Sequence, residues 1–270
     1  MTKPADPLVV CVRHGRVLEV RIQRPQVRNC VNRPTADALL DAFTDFDQDP
    51  ELDVAILHGA GGHFCAGADL KAVASGKPEL ANRIDRDGPG PMGPTRMQCA
   101  KPVIAAISGY CVAGGLELAC WCDLRVADDS AIFGVFCRRF GVPLIDGGSV
   151  RLPRLIGQSR ALDMILTGRP VAIEEASQMG LVNRRCAAGQ SFDTAMELAE
   201  QLMAFPQTCL RGDLRSARQQ WSLNEEQAMR QEFEYGLNTL GSGETLAGAT
   251  RFKEGQGRHG DFDPPQLTLK

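Results

Sequence analysis

Gly114 and Gly115 open an apolar stretch, and Glu117 follows three residues after the first of them. An apolar run, Val103 to Ile107, precedes them and is broken at Ser108-Gly109, which reads as a strand feeding a helix. The first amides of a helix have no internal partners, so they can donate to an anion, and glycine lets a ligand approach the backbone. Three residues on is one helical turn, so the Glu117 carboxylate can share a side with the Gly114 amide. One turn thus offers an anion-stabilising donor and an acid–base group. That pairing suits chemistry at the α or β carbon of a thioester, where charge develops on the carbonyl oxygen and protons must move. A plain strand-to-helix turn with an acidic first-turn residue fits the same letters, because the helix dipole favours acids there.

Two further segments narrow the choice. Phe64-Cys65-Ala66-Gly67-Ala68-Asp69-Leu70-Lys71 follows a short buried run, Val54 to Leu57, and its turn could supply a second amide. Asp69 there also fits a simple helix cap. Phe133-Gly134, Gly141-Val142-Pro143, Asp146-Gly147-Gly148 and Arg151-Leu152-Pro153 form the third. Together the three segments, in this spacing, resemble the crotonase (enoyl-CoA hydratase/isomerase) family over most of the chain.

The resemblance implies an α/β fold: a spiral of repeated ββα units followed by a helical C-terminal oligomerisation region. It places the oxyanion-hole amides on Ala68 and Gly114 and the first catalytic glutamate on Glu117. Phe64, Ala66, Asp69 and Leu70 would contact coenzyme A, and Arg28 would lie near its phosphates. Coenzyme A enters as part of an acyl-CoA substrate, with no metal or other cofactor. Hydration of a trans-2-enoyl-CoA is the leading expected reaction, with a double-bond shift as the alternative. A non-catalytic CoA-thioester-binding protein is a further one. A homotrimer or hexamer is the implied assembly.

Two positions depart from the pattern. Hydratases of the family carry a second glutamate shortly after the Phe133-Gly134 position, and Cys137 stands there. A thiol is a poor replacement in water activation, although Arg138 and Arg139 could lower its pKa. Asp146 precedes Gly147-Gly148, one position beyond Ile145, where some family members place a working aspartate. It is a candidate catalytic carboxylate or a turn residue holding the glycine bend.

The surrounding elements follow from periodicity. Leu8–Arg13 and Val17–Gln23 read as a hairpin, and Pro34-Thr35 opens a helix with Thr35 as its cap and Leu39, Leu40, Phe43 and Phe46 as its apolar stripe. Ser75 to Thr95 reads as a loop or weak helix beside a site. Helices are expected at Gln158–Leu166, Ile173–Met179, Phe192–Phe205, Leu210–Trp221 and Asn224–Leu240, with an extended tail from Gly255. These elements suggest a catalytic core over 1–205 and a helical region for trimerisation over 206–270.

The bulk numbers agree with an enzyme core. The 270 residues are 43% hydrophobic, enough for a sizeable interior, and the net charge of -3 argues against a nucleic-acid binder. The polar start lacks a signal-peptide h-region, and the longest apolar stretch is too broken for a membrane span, so a cytoplasmic protein is expected. Ten cysteines without a CxxC pair fit a reducing compartment and no zinc site. The glycines make no GxGxxG fingerprint, which excludes a dinucleotide fold.

Overall fold

The computed structural model describes residues 7–258. Strands β1 (Val9–His14) and β2 (Val17–Ile22) form the expected antiparallel hairpin around Gly15. Helix α1 (Arg33–Gln48) then crosses over to β3 (Val54–Gly59), which lies parallel to β2. The cap of α1 is Asn32 rather than Thr35. Its side chain accepts from the Thr35 amide at 3.2 Å and the Thr35 hydroxyl at 2.6 Å. Pro34 is tolerated inside the first turn because an amide there has no helical partner. The buried face of α1 presents Leu39, Phe43 and Phe46 of the expected stripe, with Leu40 half-buried.

A short helix, α2 (Leu70–Ala74), is capped by Asp69. Next come β4 (Val103–Ile107), β5 (Tyr110–Val112), α3 (Gly114–Trp121), β6 (Leu124–Asp128) and β7 (Ile132–Gly134). Helices α4 (Gly148–Ile156) and α5 (Gln158–Thr167), strand β8 (Val171–Ala172), helix α6 (Ile173–Gln178) and strand β9 (Arg184–Cys186) follow. Six strands make one sheet in the order β1-β2-β3-β4-β6-β9, parallel except for the hairpin. A smaller sheet has the order β5-β7-β8. All five residues of β4 are buried, as a central parallel strand requires.

The spiral is visible in how the strands alternate. β4 joins the large sheet and β5 the small one; β6 and β7 repeat the step. Beyond β3 the chain does the same, because Cys65 bridges in parallel to Cys111 of β5. Each turn therefore delivers its chain to the same edge, beside the start of α3. Phe43 fixes this layer, packing edge-on to Trp121 with ring centres 4.8 Å apart.

The chain divides into two compact units. One carries both sheets, running to Cys99 and from Val103 to Ala199. The other takes Ala100–Pro102 and continues from Glu200, where α7 (Ser191–Met203) is ending. In that second unit α8 (Gln207–Gln219), α9 (Glu225–Gly241) and α10 (Glu244–Lys253) follow in order. The Tyr235 hydroxyl of α9 donates to Gln219 of α8 at 2.7 Å. The Glu244 carboxylate accepts from the Thr208 and Cys209 amides, each at 2.9 Å, and so caps α8. Neither α4 nor α10 is evident from the sequence pattern, since Pro153 sits inside the first and Gly248 inside the second. The tail from Gly255 is described only to Arg258, and it is turn through Gly257 rather than extended. The rest of that predicted extension lies outside the described residues. Among the described residues no helix is long and apolar enough to cross a membrane.

Candidate active site

The first carboxylate is fixed by the start of α3. Glu117 is 3% exposed, and its Oε1 accepts from the Asp146 amide at 2.9 Å and the Gly148 amide at 2.8 Å. Among the described residues its second oxygen has no protein partner. Burial raises the Glu117 pKa to about 7, ahead of the two amides that oppose the shift. A carboxyl poised there can both accept and return a proton near neutral pH.

Ala113, just before α3, adopts φ 54° and ψ −126°. This left-handed conformation is costly for a residue with a Cβ, about 1–3 kcal/mol, and such strain gathers at functional sites. The Ala113 amide is anchored on the Gly134 carbonyl at 2.8 Å. The next amide, Gly114, donates to no acceptor among the described residues, and neither does the Ala68 amide.

The two unpartnered amides are neighbours because glycine permits it. At Gly67, φ is +96°, and a Cβ there would lie 2.8 Å from the Ala113 Cβ and 3.0 Å from the Gly114 nitrogen. A Cβ on Gly115 would lie 2.1 Å from the Cys65 carbonyl oxygen. Only a bare backbone lets the 65–68 turn close on the start of α3. Below the turn, Cys65 donates to Tyr110 and accepts from Val112.

A cavity of about 910 Å³ opens over this junction. Ala68, Gly114, Glu117, Cys137 and Asp146 all line it. Its outer part is apolar, with Leu70, Val73, Ile84, Phe140 and Ile145 contributing exposed side chains to the lining. The cavity thus brings two unpartnered amides and one carboxyl to a common opening beneath an apolar mouth.

The enoyl-CoA hydratase/isomerase family model matches residues 13–261. The chain belongs to this family. Enoyl-CoA hydratase EchA19 of Mycobacterium tuberculosis is 34% identical over 260 residues, covering 94% of this chain and 96% of that protein. Carnitinyl-CoA dehydratase of Salmonella paratyphi A is 40% identical over 194 residues, 71% of this chain and 72% of that one. Among solved structures, enoyl-CoA hydratase EchA1 of Mycobacterium marinum superposes with a TM-score of 0.86 at 35% identity. That match covers 92% of this chain and 96% of the other.

Within this enoyl-CoA hydratase/isomerase fold, the remaining candidate residues separate clearly. Ala66 and Leu70 line the cavity, but Phe64 is fully buried, belongs to the core, and does not line it. Asp69 borders the cavity while its carboxylate is engaged elsewhere. It accepts from Arg24 Nη2 at 2.9 Å and from the Lys71 and Ala72 amides at 3.2 Å. The pair is nearly buried, so Asp69 holds the turn in place. Arg28 stands at the rim in a left-handed conformation, its guanidinium 5.2 Å from the Tyr110 ring centre. Among the described residues no carboxylate pairs with it, and it remains available to an anion.

Asp146 reaches Glu117 through its backbone, not its side chain. Its Oδ1 accepts from the Met92 amide at 2.9 Å and from the Thr95 hydroxyl. The carboxylate thereby ties the 92–95 loop to the glycine bend. Met92 in turn packs against Gly114: a Cβ there would lie 2.7 Å from its sulfur. Met92 and Thr95 carry no sequence signal, because their partner Asp146 lies far along the chain, and Arg151 is marked only as part of the third motif segment. Only the Gly147-Gly148 pair marks that something turns there.

Cys137 lines the cavity without the surroundings of a reactive thiol. Its pKa is raised, first by burial and then by Glu117. Arg138 Nε donates to the Ile165 carbonyl at 3.2 Å, and Arg139 Nη2 to the Gly168 carbonyl at 3.0 Å. Both guanidiniums are held by the end of α5, and the pull of Arg138 on the thiol loses to desolvation. Cys137→Ala is expected to change kcat/KM by less than about threefold, since an inert thiol contributes packing alone. A hundredfold loss in steady-state assays would return the thiol to the mechanism.

Proposed function

We propose that this protein hydrates trans-2-enoyl-CoA thioesters, with Glu117 as the acid–base group and the Ala68 and Gly114 amides as the oxyanion hole. The observation that carries the reading is the buried Glu117 carboxyl, held on one oxygen by two amides and set one turn from an unpartnered amide. Its raised pKa, to about 7, suits a group that must exchange protons twice.

The reaction runs through one carboxylate. Glu117 removes a proton from water while the water oxygen bonds to the β carbon. The carbon–carbon double-bond electrons move toward the thioester, and the Ala68 and Gly114 N–H groups donate to its oxygen as charge builds. The Glu117 acid then delivers its proton to the α carbon, and the thioester carbonyl is restored. The sum is addition of H and OH to the double bond, with no net proton change at Glu117. Arg28 at the rim serves the phosphates of coenzyme A, and Ala66 and Leu70 border the thioester arm. Asp146 acts by position: its amide orients Glu117 and its side chain holds the wall carrying Met92.

A double-bond shift is the second reading, favoured by Cys137 where a second carboxylate would assist water. The deciding experiment offers crotonyl-CoA and longer 2-enoyl-CoAs beside matched 3-enoyl-CoAs. Loss of the 2-enoyl thioester chromophore with formation of 3-hydroxyacyl-CoA is the expected result. Conversion of 3-enoyl to 2-enoyl ester without hydration would replace the hydratase by an isomerase. Tight binding without turnover on either series would leave a CoA-thioester binder.

The assembly we propose is a homotrimer or a hexamer built from two. Met229, Phe233, Leu237 and Leu240 recur along α9 at helical spacing and are all exposed in the single chain. A second copy of this chain would cover that stripe. Sedimentation of the purified protein as a monomer would remove this assembly.

A further inference from the structure

A half-buried cation that acts on the Glu117 carboxyl is Arg151, in the first turn of α4. Its Nη1 donates to the Asp146 carbonyl at 2.9 Å and its Nη2 to the Thr95 carbonyl at 2.7 Å. Asp146 closes the circuit by accepting from the Thr95 hydroxyl and the Met92 amide. The ring Arg151–Asp146–Thr95 therefore joins three separate parts of the chain: α4, the glycine bend and the 92–95 loop. Gly147 makes it possible, because a Cβ there would lie 2.2 Å from Arg151 Nη1. Both amides that hold Glu117, those of Asp146 and Gly148, belong to the bend that Arg151 braces.

We propose that Arg151 is a positioning residue for the reaction, clamping the bend whose two amides aim the Glu117 carboxyl while holding Met92 against Gly114. The proposal rests on the reading of Glu117 as the acid–base group. Arg151 touches no reacting atom. It acts through two carbonyls, and a planar fork suits that task in a way that a lysine's single ammonium does not.

Among the described residues it is also the cation whose charge acts on the Glu117 titration. The charged and titratable groups facing Glu117 are Asp146 from the bend, Cys137 from the preceding turn, Cys120 from α3 itself and Arg151 from α4. Arg96 faces Asp146 from the 92–96 loop. Of these, Arg151 alone favours the carboxylate form of Glu117. Removing it moves the Glu117 titration upward.

The test uses Arg151→Met, Arg151→Lys and Thr95→Val in the full chain, each checked for a native melt, with crotonyl-CoA as substrate. Arg151→Met is expected to lower kcat about 10²-fold with KM within about threefold, the signature of a misplaced catalytic group. The acidic limb of its kcat/KM profile moves to higher pH. Arg151→Lys keeps the limb near its original place while kcat falls by about tenfold, separating charge from bridging. Thr95→Val lowers kcat by about tenfold without moving the limb, because the ring is loosened and the cation stays.

The same Arg151→Met change in a Glu117→Gln background is expected to reduce the residual rate by less than about twofold, since the group it positions is gone. Should Glu117→Gln be inactive while folded Arg151→Met keeps kcat and its pH limb within about twofold of the parent, the positioning role falls. If Arg151→Met does not fold, unchanged kcat in both Arg151→Lys and Thr95→Val overturns it equally. Full turnover by Glu117→Gln is a different failure: it removes the acid–base reading first, and this role with it.

Discussion

Glu117→Gln is expected to lower kcat for 2-enoyl-CoA hydration by at least about 10³-fold while leaving CoA-ester binding within about threefold. The amide keeps the shape and can still accept from the Asp146 and Gly148 N–H groups, so the site remains assembled. What is lost is the proton exchange. The parent enzyme has a matching pH signature. Burial holds Glu117 near 7, and its working form in water addition is the carboxylate, so kcat/KM rises with pH and levels off above that value. The variant's residual rate has no such limb.

Stability moves the other way. The folded pKa lies above the ordinary carboxyl value of 4.5, so the folded state binds more protons in the window from there to about 7. The contribution of Glu117 to stability is complete below the unfolded pKa and lost as pH rises through the folded one. Above neutral pH, Glu117→Gln should therefore melt at a higher temperature than the parent, a site that trades stability for activity. A variant that is both fully active and no more stable at pH 8 would remove Glu117 from the centre of the mechanism.

The second large effect is at Gly114. Gly114→Pro deletes one of the two oxyanion donors, and loss of such a donor costs about 10²- to 10³-fold in kcat. Proline suits the first helical position, so α3 itself tolerates it. Two side effects accompany the lost amide. The new Cβ approaches the Met92 sulfur, and the residue before a proline resists the Ala113 conformation. Gly114→Ala isolates the first of these, because it adds the same Cβ and retains the N–H. The thioether end of Met92 is flexible and can yield, so Gly114→Ala should lose no more than about tenfold. Equal rates for the two variants, both shown to be folded, would sink the oxyanion assignment of Gly114.

Local chemistry was the legible part of this sequence. Gly114 and Glu117 lie within one helical turn, and a turn of helix fixes their relation before any tertiary contact forms. The β1–β2 hairpin, the α1 stripe and the five buried residues of β4 follow from periodicities of the same short range. Where one short-range signal competed with another, the reading slipped. Asn32 capped α1 in place of Thr35, and Pro153 concealed α4.

What the family pattern added was long-range: it joined Ala68 to Gly114, which no spacing rule connects. Their meeting depends on Gly67 and Gly115 surrendering side chains at a contact between two distant segments. The tertiary structure alone decided the rest. It put Phe64 into the core although its neighbours line the cavity. It turned Arg138 and Arg139 toward the end of α5, leaving Cys137 a buried thiol. It gave Asp146 two jobs, one through its amide and one through its carboxylate, and closed the ring with Thr95 and Arg151. A sequence displays which groups can donate, accept or ionise. Which of them meet, and which are desolvated enough to change their pKa, depends on burial and on contacts between residues far apart in the chain.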